Sequence, residues 1–350
     1  MPRLLILISV VFLSSCGGGS SENNSNDTAA KWSIPVDQVI DAGPGRNGIP
    51  SLQSPKFIKA SETTLRDDKL ILGVRYKGET KAYPHNILDW HEVVNDIYDT
   101  DRLVLSYCPL TGSGMLWKSG SFSSDPTWGV SGLLYNSNLI LFDRDTQSNW
   151  SQMLEQSVQG DRRSETPQKL KTIETTWGAW KSMYPDTLIL SEQTGFERDY
   201  SRYPYRSFRT NEGLIFPVSQ IDRRLPLKTR VTGIRASDQS SKVYQINQFS
   251  SGIQVINTTF KEQPIVVIGS SDKQFATIYS AKTQDGTLQV FEALQDQLPA
   301  IMRDQEGNLW DVFGRAIAGS RSGEELAKTE SYTAYWYAWA AFFPNAEIYF

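Results

Sequence analysis

An internal duplication is the feature that most constrains how this chain can fold. The segment beginning at Leu72 (LGVRYKGETKAYPHN) resembles the segment beginning at Thr232 (TGIRASDQSSKVYQIN). Four further pairs follow in the same order: VVND and VINT, RLVLSYC and PIVVIGS, TQSNWSQMLEQSVQG and EGNLWDVFGRAIAG, and two Trp–Trp–Pro sets at one spacing. Because ordered matches at long separation are typical of repeated units, the sequence predicts two tandem copies of one β-sheet unit.

The matched segments set the predicted domain boundaries. We place the first unit at residues 58–190 and the second at residues 229–350. The connector at 191–228 contains RDYSRYPYRSF and FPVSQIDRRLPLK and is rich in Tyr, Arg and Pro. Because flexible linkers are poor in aromatic residues, we expect the connector to pack across both units.

Local patterns within each unit predict an α+β fold in which strands dominate. The segments LILGVRYK, RLVLSYC, NLILFDRD and PIVVIGS are short β-rich runs bounded by Gly, Asp and Asn. One helix is predicted after Pro84, with Ile87, Leu88 and His91 on one stripe. A second is predicted in TTWGAWKSMYP, with a copy in AYWYAWAAFFP, so each unit has a Trp-containing helix. We interpret these Trp residues as core.

The N-terminus predicts export. Arg3 precedes an apolar run from Leu4 to Leu13, which is shorter than the roughly 20 residues needed to cross a bilayer. Residues 1–15 therefore read as a signal peptide. The ending LSSC resembles a bacterial lipobox, which implies cleavage before Cys16 and its acylation. The alternative is an ordinary signal peptide followed by an unmodified cysteine.

Residues 16–57 are predicted to tether the body to a membrane through the lipid on Cys16. They begin with GGGSSENNSNDTAAK, a polar segment without a hydrophobic pattern. By the lipoprotein sorting rule, an aspartate directly after the lipidated cysteine favours the inner membrane. Gly17 stands there instead, so the predicted location is the cell envelope, at the outer membrane.

Composition limits the classes of partner. Of 350 residues, 39% are hydrophobic and ten are Trp, which is enough material for a large core. The formal net charge of -4, with mixed signs along the chain, argues against nucleic acid. If Cys16 is acylated, Cys108 has no partner for an internal disulfide, and an unpaired thiol in an oxidising compartment calls for burial, a metal or a chemical role.

The stretch from Tyr83 to Trp117 holds both histidines of the chain and Cys108. Strand alternation in LVLSYC places Val104, Ser106 and Cys108 on one face. After Pro109, the TGSG turn can expose backbone N–H groups, so an anion or oxyanion site is predicted at Gly112, Ser113 and Gly114. The thiol itself is a candidate nucleophile or soft-metal ligand. The plain alternative is a buried cysteine that acts as a small hydrophobe.

Three further residues complete the candidate set. His91 lies on the inward stripe of its helix and is the predicted base or second ligand for Cys108. His85, six positions earlier, lies on a different helix face but could approach from the helix start as a third metal ligand. Arg144 in LFDRDTQ is a candidate anion anchor, with surface ion pairing as the alternative.

The chain resembles the family called domain of unknown function 3179. HEVVND, YCPLTGSG, WGVSGLLYNSNLILFDRDTQSNWSQ and YWYAWAAFFP all read as motifs of that family, from about residue 58 onward. The resemblance implies no established activity. Many relatives have CPLC where this chain has Cys108 and Thr111, so a CxxC dithiol couple is absent here.

Three functional hypotheses follow. The protein could be an enzyme with Cys108 as nucleophile and His91 as base, or it could bind copper or another soft metal ion through Cys108 and the histidines. It could instead be a non-catalytic envelope lipoprotein that binds a glycan, a peptide or a protein partner. The second unit has Ser270 and Ile253 near the places of Cys108 and His91, which fits one active and one degenerate copy.

Overall fold

The computed structural model describes residues 31–119 and 127–349. The predicted signal peptide, Cys16 and residues 17–30 of the predicted tether lie outside this range. Within it the chain forms 26 strands in six sheets, together with three α-helices. The predicted β-rich character is therefore confirmed.

The first sheet is antiparallel throughout. In spatial order its strands are β1 (Val39–Asp41), β9 (Trp128–Tyr135), β10 (Asn138–Asp143), β11 (Asn149–Ser151) and β12 (Gln156–Gln159). The second sheet is antiparallel except for its last pair. Its strands are β13 (Gln168–Leu170), β8 (Ser113–Lys118), β7 (Asp101–Cys108), β6 (Val93–Tyr98) and β2 (Leu52–Gln53).

Two mixed sheets share one topology. The strands of the first are β14 (Ile173–Thr176), β4 (Leu70–Tyr76), β5 (Glu79–Pro84), β15 (Leu188–Leu190) and β3 (Phe57–Lys59). Those of the other are β25 (Ser331–Tyr335), β16 (Arg230–Arg235), β17 (Ser241–Gln245) and β26 (Glu347–Tyr349). In each sheet the first two strand pairs are antiparallel. The third strand in the order then pairs in parallel with the fourth, β5 with β15 in one sheet and β17 with β26 in the other.

The two remaining sheets are antiparallel and belong to the C-terminal half. One contains β18 (Gln254–Phe260), β19 (Gln263–Ser270) and β20 (Phe275–Ser280); the other contains β21 (Phe291–Ala293), β22 (Met302–Asp304), β23 (Leu309–Trp310) and β24 (Ala316–Ala318). The order β18-β19-β20 matches β6-β7-β8 in the N-terminal half. These correspondences support the duplication, which stays a prediction.

The three α-helices have seven residues each. They are α1 (His85–His91), α2 (Trp177–Met183) and α3 (Trp336–Phe342). In the second half a 3-10 turn, Ile246–Gln248, takes the place of α1. The Trp residues of α2 and α3 are at most 1% exposed, so their assignment to the core is confirmed.

A glycine in each half allows its helix to lie close to its own sheet. The ring of Trp180 packs on Gly73, where a Cβ atom would be 2.2 Å from the ring. Trp339 packs on Gly233 in the same way, and a Cβ atom there would again be 2.2 Å from the indole. Since only glycine leaves room for the indole, the two Gly–Trp pairs fix how each helix sits on its sheet.

The two halves share their two largest cores. Trp177 and Trp180 of α2 lie in a core with Ile268 and Trp310 of the C-terminal half. Conversely, α3 lies in a core formed largely by the first two sheets of the N-terminal half, to which it contributes Trp336, Tyr337, Ala338, Trp339, Ala340 and Phe342. Each helix is thus buried against the other half of the chain, and neither half closes its core alone.

Backbone hydrogen bonds join the halves at equivalent places. The N–H of Thr176, which caps α2, donates to the carbonyl of Lys273 at 3.2 Å. The N–H of Tyr335, which caps α3, donates to the carbonyl of Thr111 at 2.7 Å. Thr111 follows Cys108 by three residues, as Lys273 follows Ser270. The turn after Cys108 is therefore held in place by the C-terminal half.

The connector packs across both halves. Trp90 Nε1 donates to the Arg202 carbonyl at 3.0 Å, and Trp336 Nε1 donates to the Asp222 carbonyl at 3.0 Å. Apart from a 3-10 turn at Phe208–Thr210, the segment is irregular. Within residues 31–119 and 127–349, none of the helices has the length and apolar character needed to span a bilayer.

The Gly–Trp contacts predict a matched pair of destabilised variants. Gly73→Ala and Gly233→Ala should each lower the free energy of unfolding by about 1–3 kcal/mol, because the added methyl group overpacks an indole that cannot withdraw. The measurement is denaturant unfolding, with the exposed Gly213→Ala as control, where the nearest atom is a flexible side-chain oxygen. A loss no larger than that of the control would show that the contacts are not tight.

Candidate functional site

His91 is buried and both its ring nitrogens are engaged. Nδ1 lies 2.8 Å from the Pro50 carbonyl oxygen, and Nε2 lies 2.7 Å from the Tyr200 hydroxyl. Because a carbonyl only accepts, Nδ1 carries the proton, and burial lowers the pKa of the imidazole. Nε2 of the neutral ring therefore accepts from Tyr200. No nitrogen is left to take a proton from Cys108.

Cys108 is 1% exposed at the end of β7. Its Sγ donates a weak hydrogen bond to the Ser137 carbonyl at 3.8 Å. Val104 and Cys108 lie in one core, and Leu103 and Tyr107 lie in another, which confirms the predicted alternation. Burial, followed by the neighbouring Glu92, raises the pKa of the thiol, so the structure does not bring Cys108 and His91 into an activated pair.

Residues Gly112, Ser113 and Gly114 of the predicted oxyanion turn form hydrogen bonds within the protein. The Gly112 N–H donates to the Cys108 carbonyl at 2.8 Å, and Gly114 pairs with Tyr107 in the β7–β8 ladder. Ser113 Oγ donates to Gln152 Oε1 at 2.7 Å inside a fully buried polar network. These groups therefore do not form a set of unpaired hydrogen-bond donors that could bind an oxyanion.

Arg144 and the predicted metal ligands do not form one site. Arg144 Nη2 donates to Ser51 Oγ at 3.0 Å, and its guanidinium lies 5.3 Å from the Phe142 ring centroid. In the part of the chain that the structure describes, no group of three or more His, Cys, Asp or Glu side chains could hold a metal ion. His85 contacts neither Cys108 nor His91 by a hydrogen bond there; its neighbours form a different site.

That site is a cleft of about 900 Å³ with both polar and apolar walls, which we name the His85 cleft. It lies between α1, β14, the connector and the first strand of the C-terminal half. Its lining includes four tyrosines, Tyr107, Tyr200, Tyr203 and Tyr335. It also includes the buried side chains of His85, Asp89 and Glu174, and the partly exposed Arg209 and Arg230. Gly112 also lines it, with φ of 60° and the Tyr335 ring 3.0 Å from the place of a Cβ.

The charged residues of the cleft form two ion pairs. Arg209 Nη2 lies 2.6 Å from Asp89 Oδ1 and 3.2 Å from the Tyr107 hydroxyl. Arg230 Nη2 lies 3.1 Å from Glu174 Oε2. Burial raises the pKa of Asp89 to about 7 against the opposing effect of Arg209, and burial likewise raises the pKa of Glu174. The cleft therefore holds balanced charges at low dielectric, an arrangement that is enriched at functional sites.

Among the described residues that line the cleft, three have a buried polar atom without a hydrogen-bond partner, namely His85 at Nε2, Asn86 at Oδ1 and Arg230 at Nε. The His85 Nε2 forms no hydrogen bond, although Glu174 Oε1 lies 3.5 Å away. The ring stacks on Tyr107 at 4.3 Å between centroids. Burial, helped by Arg209 and Arg230, lowers the pKa of His85 well below its usual value. A neutral imidazole with an unbonded nitrogen thus belongs to a residue in the wall of the cleft.

A second, smaller cavity of about 330 Å³ lies beside the first, and we name it the Cys108 cavity. It is lined by Cys108, Glu92 and mainly apolar side chains, and Asp89 lines both spaces. Glu92 is 5% exposed. Burial raises the pKa of its carboxyl to about 7, with the Tyr205 hydroxyl opposing and Asp89 reinforcing the shift.

Sequence reasoning missed most of the His85 cleft. Asp89 follows His85 by four residues, so helical spacing could have placed them on one face. Arg209 lies in the connector, and Arg230 lies at the start of the second predicted unit. Neither carries a local pattern that marks a site, since their role depends on contacts made with residues far away in the sequence.

The buried carboxyl of Glu92 predicts a pH-dependent stability. Because its pKa is raised on folding, its proton stabilises the folded state at pH 4, and this contribution is lost as the pH rises to about 7. The free energy of unfolding of wild type relative to Glu92→Gln should therefore fall by on the order of 3 kcal/mol between pH 4 and 8. Denaturant unfolding at both pH values measures it, with the exposed Glu347→Gln as control. Parallel pH profiles for wild type and Glu92→Gln would contradict the assignment.

Comparison with known proteins bears on the whole of this architecture. The model of the family "Protein of unknown function (DUF3179)" matches residues 46–346. No curated protein and no solved structure matches the chain. The match includes every residue that lines the cleft and all but Ala42 and Pro44 of those that line the cavity, and it confirms the resemblance seen in the sequence motifs. The chain belongs to the DUF3179 family.

Proposed function

We propose that this protein is an exported, lipid-anchored component of the bacterial cell envelope that binds a small glycan-class ligand in the His85 cleft. The observation that carries the proposal is the unbonded imidazole nitrogen of His85 within a buried, charge-balanced polar cluster. Buried polar atoms normally have partners, so an unbonded one on a residue that lines a cleft supports a ligand contact at that residue.

The chemistry of the walls supports a polyhydroxylated and largely uncharged ligand. Arg209 and Arg230 are each paired with a carboxylate, so neither offers an uncompensated charge to an ionic ligand. Tyrosines provide flat apolar surfaces with polar edges, which suit sugar rings carrying hydroxyl groups. Carboxylates and guanidinium groups supply directed acceptors and donors for those hydroxyls. A volume of about 900 Å³ accommodates two or three sugar units.

Among the three hypotheses drawn from the sequence, the geometry favours binding over cysteine chemistry. His91 is committed to Pro50 and Tyr200, and the pKa of the Cys108 thiol is raised by burial. A thiol with a raised pKa is a poor nucleophile and a poor metal ligand at neutral pH. The proposal therefore places the ligand at His85, Asp89 and Glu174.

The location proposed for the protein rests on its N-terminal sequence. The LSSC ending and the polar segment after Cys16 support lipidation followed by a tether, and Gly17 supports the outer membrane. A tether between the lipid and the folded body, in which the first strand is Val39–Asp41, would let the cleft sample ligands near the membrane surface.

Binding is tested with N,N′,N″-triacetylchitotriose and maltotriose as probes, by isothermal titration calorimetry. Asp89→Asn should weaken binding of the preferred trisaccharide about tenfold or more, because a charge-assisted hydrogen bond is lost. His85→Phe should also weaken it by removing the free nitrogen. The exposed Asp99→Asn is the matched control, and thermal melting verifies that each variant is folded. Absence of binding to both probes at millimolar concentration, or affinity unchanged in both cleft variants, would overturn the proposal.

Lipidation is tested by metabolic labelling with radioactive palmitate in a bacterial host. We expect the label in wild type and in Cys108→Ser, and none in Cys16→Ser, because acylation requires the first residue after the cleaved signal peptide. The two cysteines of the chain thus provide their own control. Label retained in Cys16→Ser would contradict an N-terminal lipid anchor.

A further inference from the structure

The Cys108 cavity has the size and lining of a ligand site in its own right. Its apolar wall is contributed by the first sheet, the turn after β7 and the connector, and includes Leu110, Val130, Leu134, Leu139 and Phe216. An engineered protein cavity of about 150 Å³ with similar walls holds benzene. At about 330 Å³, this cavity accommodates a ligand of roughly ten to twelve non-hydrogen atoms.

The carboxyl group of Glu92 lies in the mainly apolar wall of the cavity. Glu92 directly follows α1 with φ of 57° and ψ of -33°, a backbone conformation that non-glycine residues rarely adopt. Two backbone hydrogen bonds hold it there: its N–H donates to the Leu88 carbonyl at 2.8 Å, and its carbonyl accepts from the Tyr107 N–H at 2.7 Å. The carboxyl group is thereby fixed at the wall of an apolar space.

The carboxyl of Glu92 has no cationic partner in residues 31–119 and 127–349. Its Oε1 accepts one hydrogen bond from the Tyr205 hydroxyl at 2.8 Å, and no ion pair is formed there. In contrast, Asp89, Glu155 and Glu174 each pair with an arginine. A buried carboxylate is stable when a positive charge lies beside it, and here the cavity leaves space for that charge to come from a ligand.

We propose that the Cys108 cavity is a second binding site, distinct from the His85 cleft, for a small and mainly apolar molecule that carries one amine. The ammonium group pairs with Glu92 and the apolar body fills the space against Leu110, Leu139 and Phe216. The two sites share Asp89, but this proposal does not depend on the glycan proposal, because it rests on Glu92, which does not line the His85 cleft.

The charged and titratable groups around Glu92 favour a cation over an anion. Asp89 adds a second carboxyl from α1, and the thiol of Cys108 on β7 is protonated because burial raises its pKa. From the connector, Tyr205 contributes a neutral hydroxyl, and Arg198 lies at the opening with its guanidinium 5.7 Å from the Trp90 ring centroid. Asp89 is already paired with Arg209, so the carboxyl of Glu92 is the group that disfavours an anionic ligand and favours a cationic one.

The test uses 4-phenylbutylamine and its neutral analogue 4-phenylbutanol as probes on the full chain bearing Cys16→Ser. At pH 8 the amine should bind at least tenfold more tightly than the alcohol, and Glu92→Gln should abolish this preference. Affinity for the amine should fall from pH 8 to pH 6, because Glu92, with a pKa of about 7, then takes up a proton while the amine stays charged. The exposed Glu347→Gln should behave like the parent chain.

Cys108 reports where the probe sits. It is the single cysteine in the Cys16→Ser chain and lines the cavity, so bound 4-phenylbutylamine should slow its alkylation by N-ethylmaleimide about tenfold at saturation. Alkylation unchanged by the amine would overturn the proposal, as would equal binding of amine and alcohol. An amine preference that survives in folded Glu92→Gln, verified by thermal melting, would also overturn it. Trisaccharide binding measured in the same variant keeps this outcome separate from the fate of the glycan proposal.

Discussion

The structure depends on the burial of two Trp-containing helices, each against its own sheet and against the opposite half of the chain. Gly73 and Gly233 let Trp180 and Trp339 approach their sheets closely, and the other faces of the helices complete cores shared by both halves. Packing each helix against the opposite half buries apolar surface that neither half could cover alone. Folding of one half is therefore coupled to folding of the other.

The same packing also shapes the His85 cleft and the Cys108 cavity. Thr111 is hydrogen-bonded to Tyr335 of the C-terminal half, which holds the turn after Cys108 against the start of α3. The connector then crosses the junction and supplies Tyr205 and Arg209 to carboxylates on or next to α1. A cleft and a cavity remain where three segments meet, because irregular chain cannot fill a junction as closely as paired strands.

Helix α1 lies between the cleft and the cavity and contributes residues to the walls of both. His85 and Asp89 face the cleft, whereas Glu92, just past the helix end, faces the Cys108 cavity. The equivalent place in the C-terminal half is a 3-10 turn, and Ser270 there bonds to the Ser251 carbonyl. The two halves thus have similar sheets and Trp-containing helices, but the imidazole of His85 and the buried carboxyls of Asp89 and Glu92 lie in the N-terminal half.

Local sequence determined the strands, the helix after Pro84, the buried Trp residues and the face of β7 that carries Cys108, because periodicity alone decides which side of an element is apolar. It did not determine which polar side chains meet. Asp89 and Arg209 are 120 residues apart, and His91, paired with Cys108 by sequence reasoning, bonds instead to Tyr200, 109 residues away. Such partnerships are set only when all sheets have packed, since burial then decides which charges must be neutralised and which nitrogen is left free.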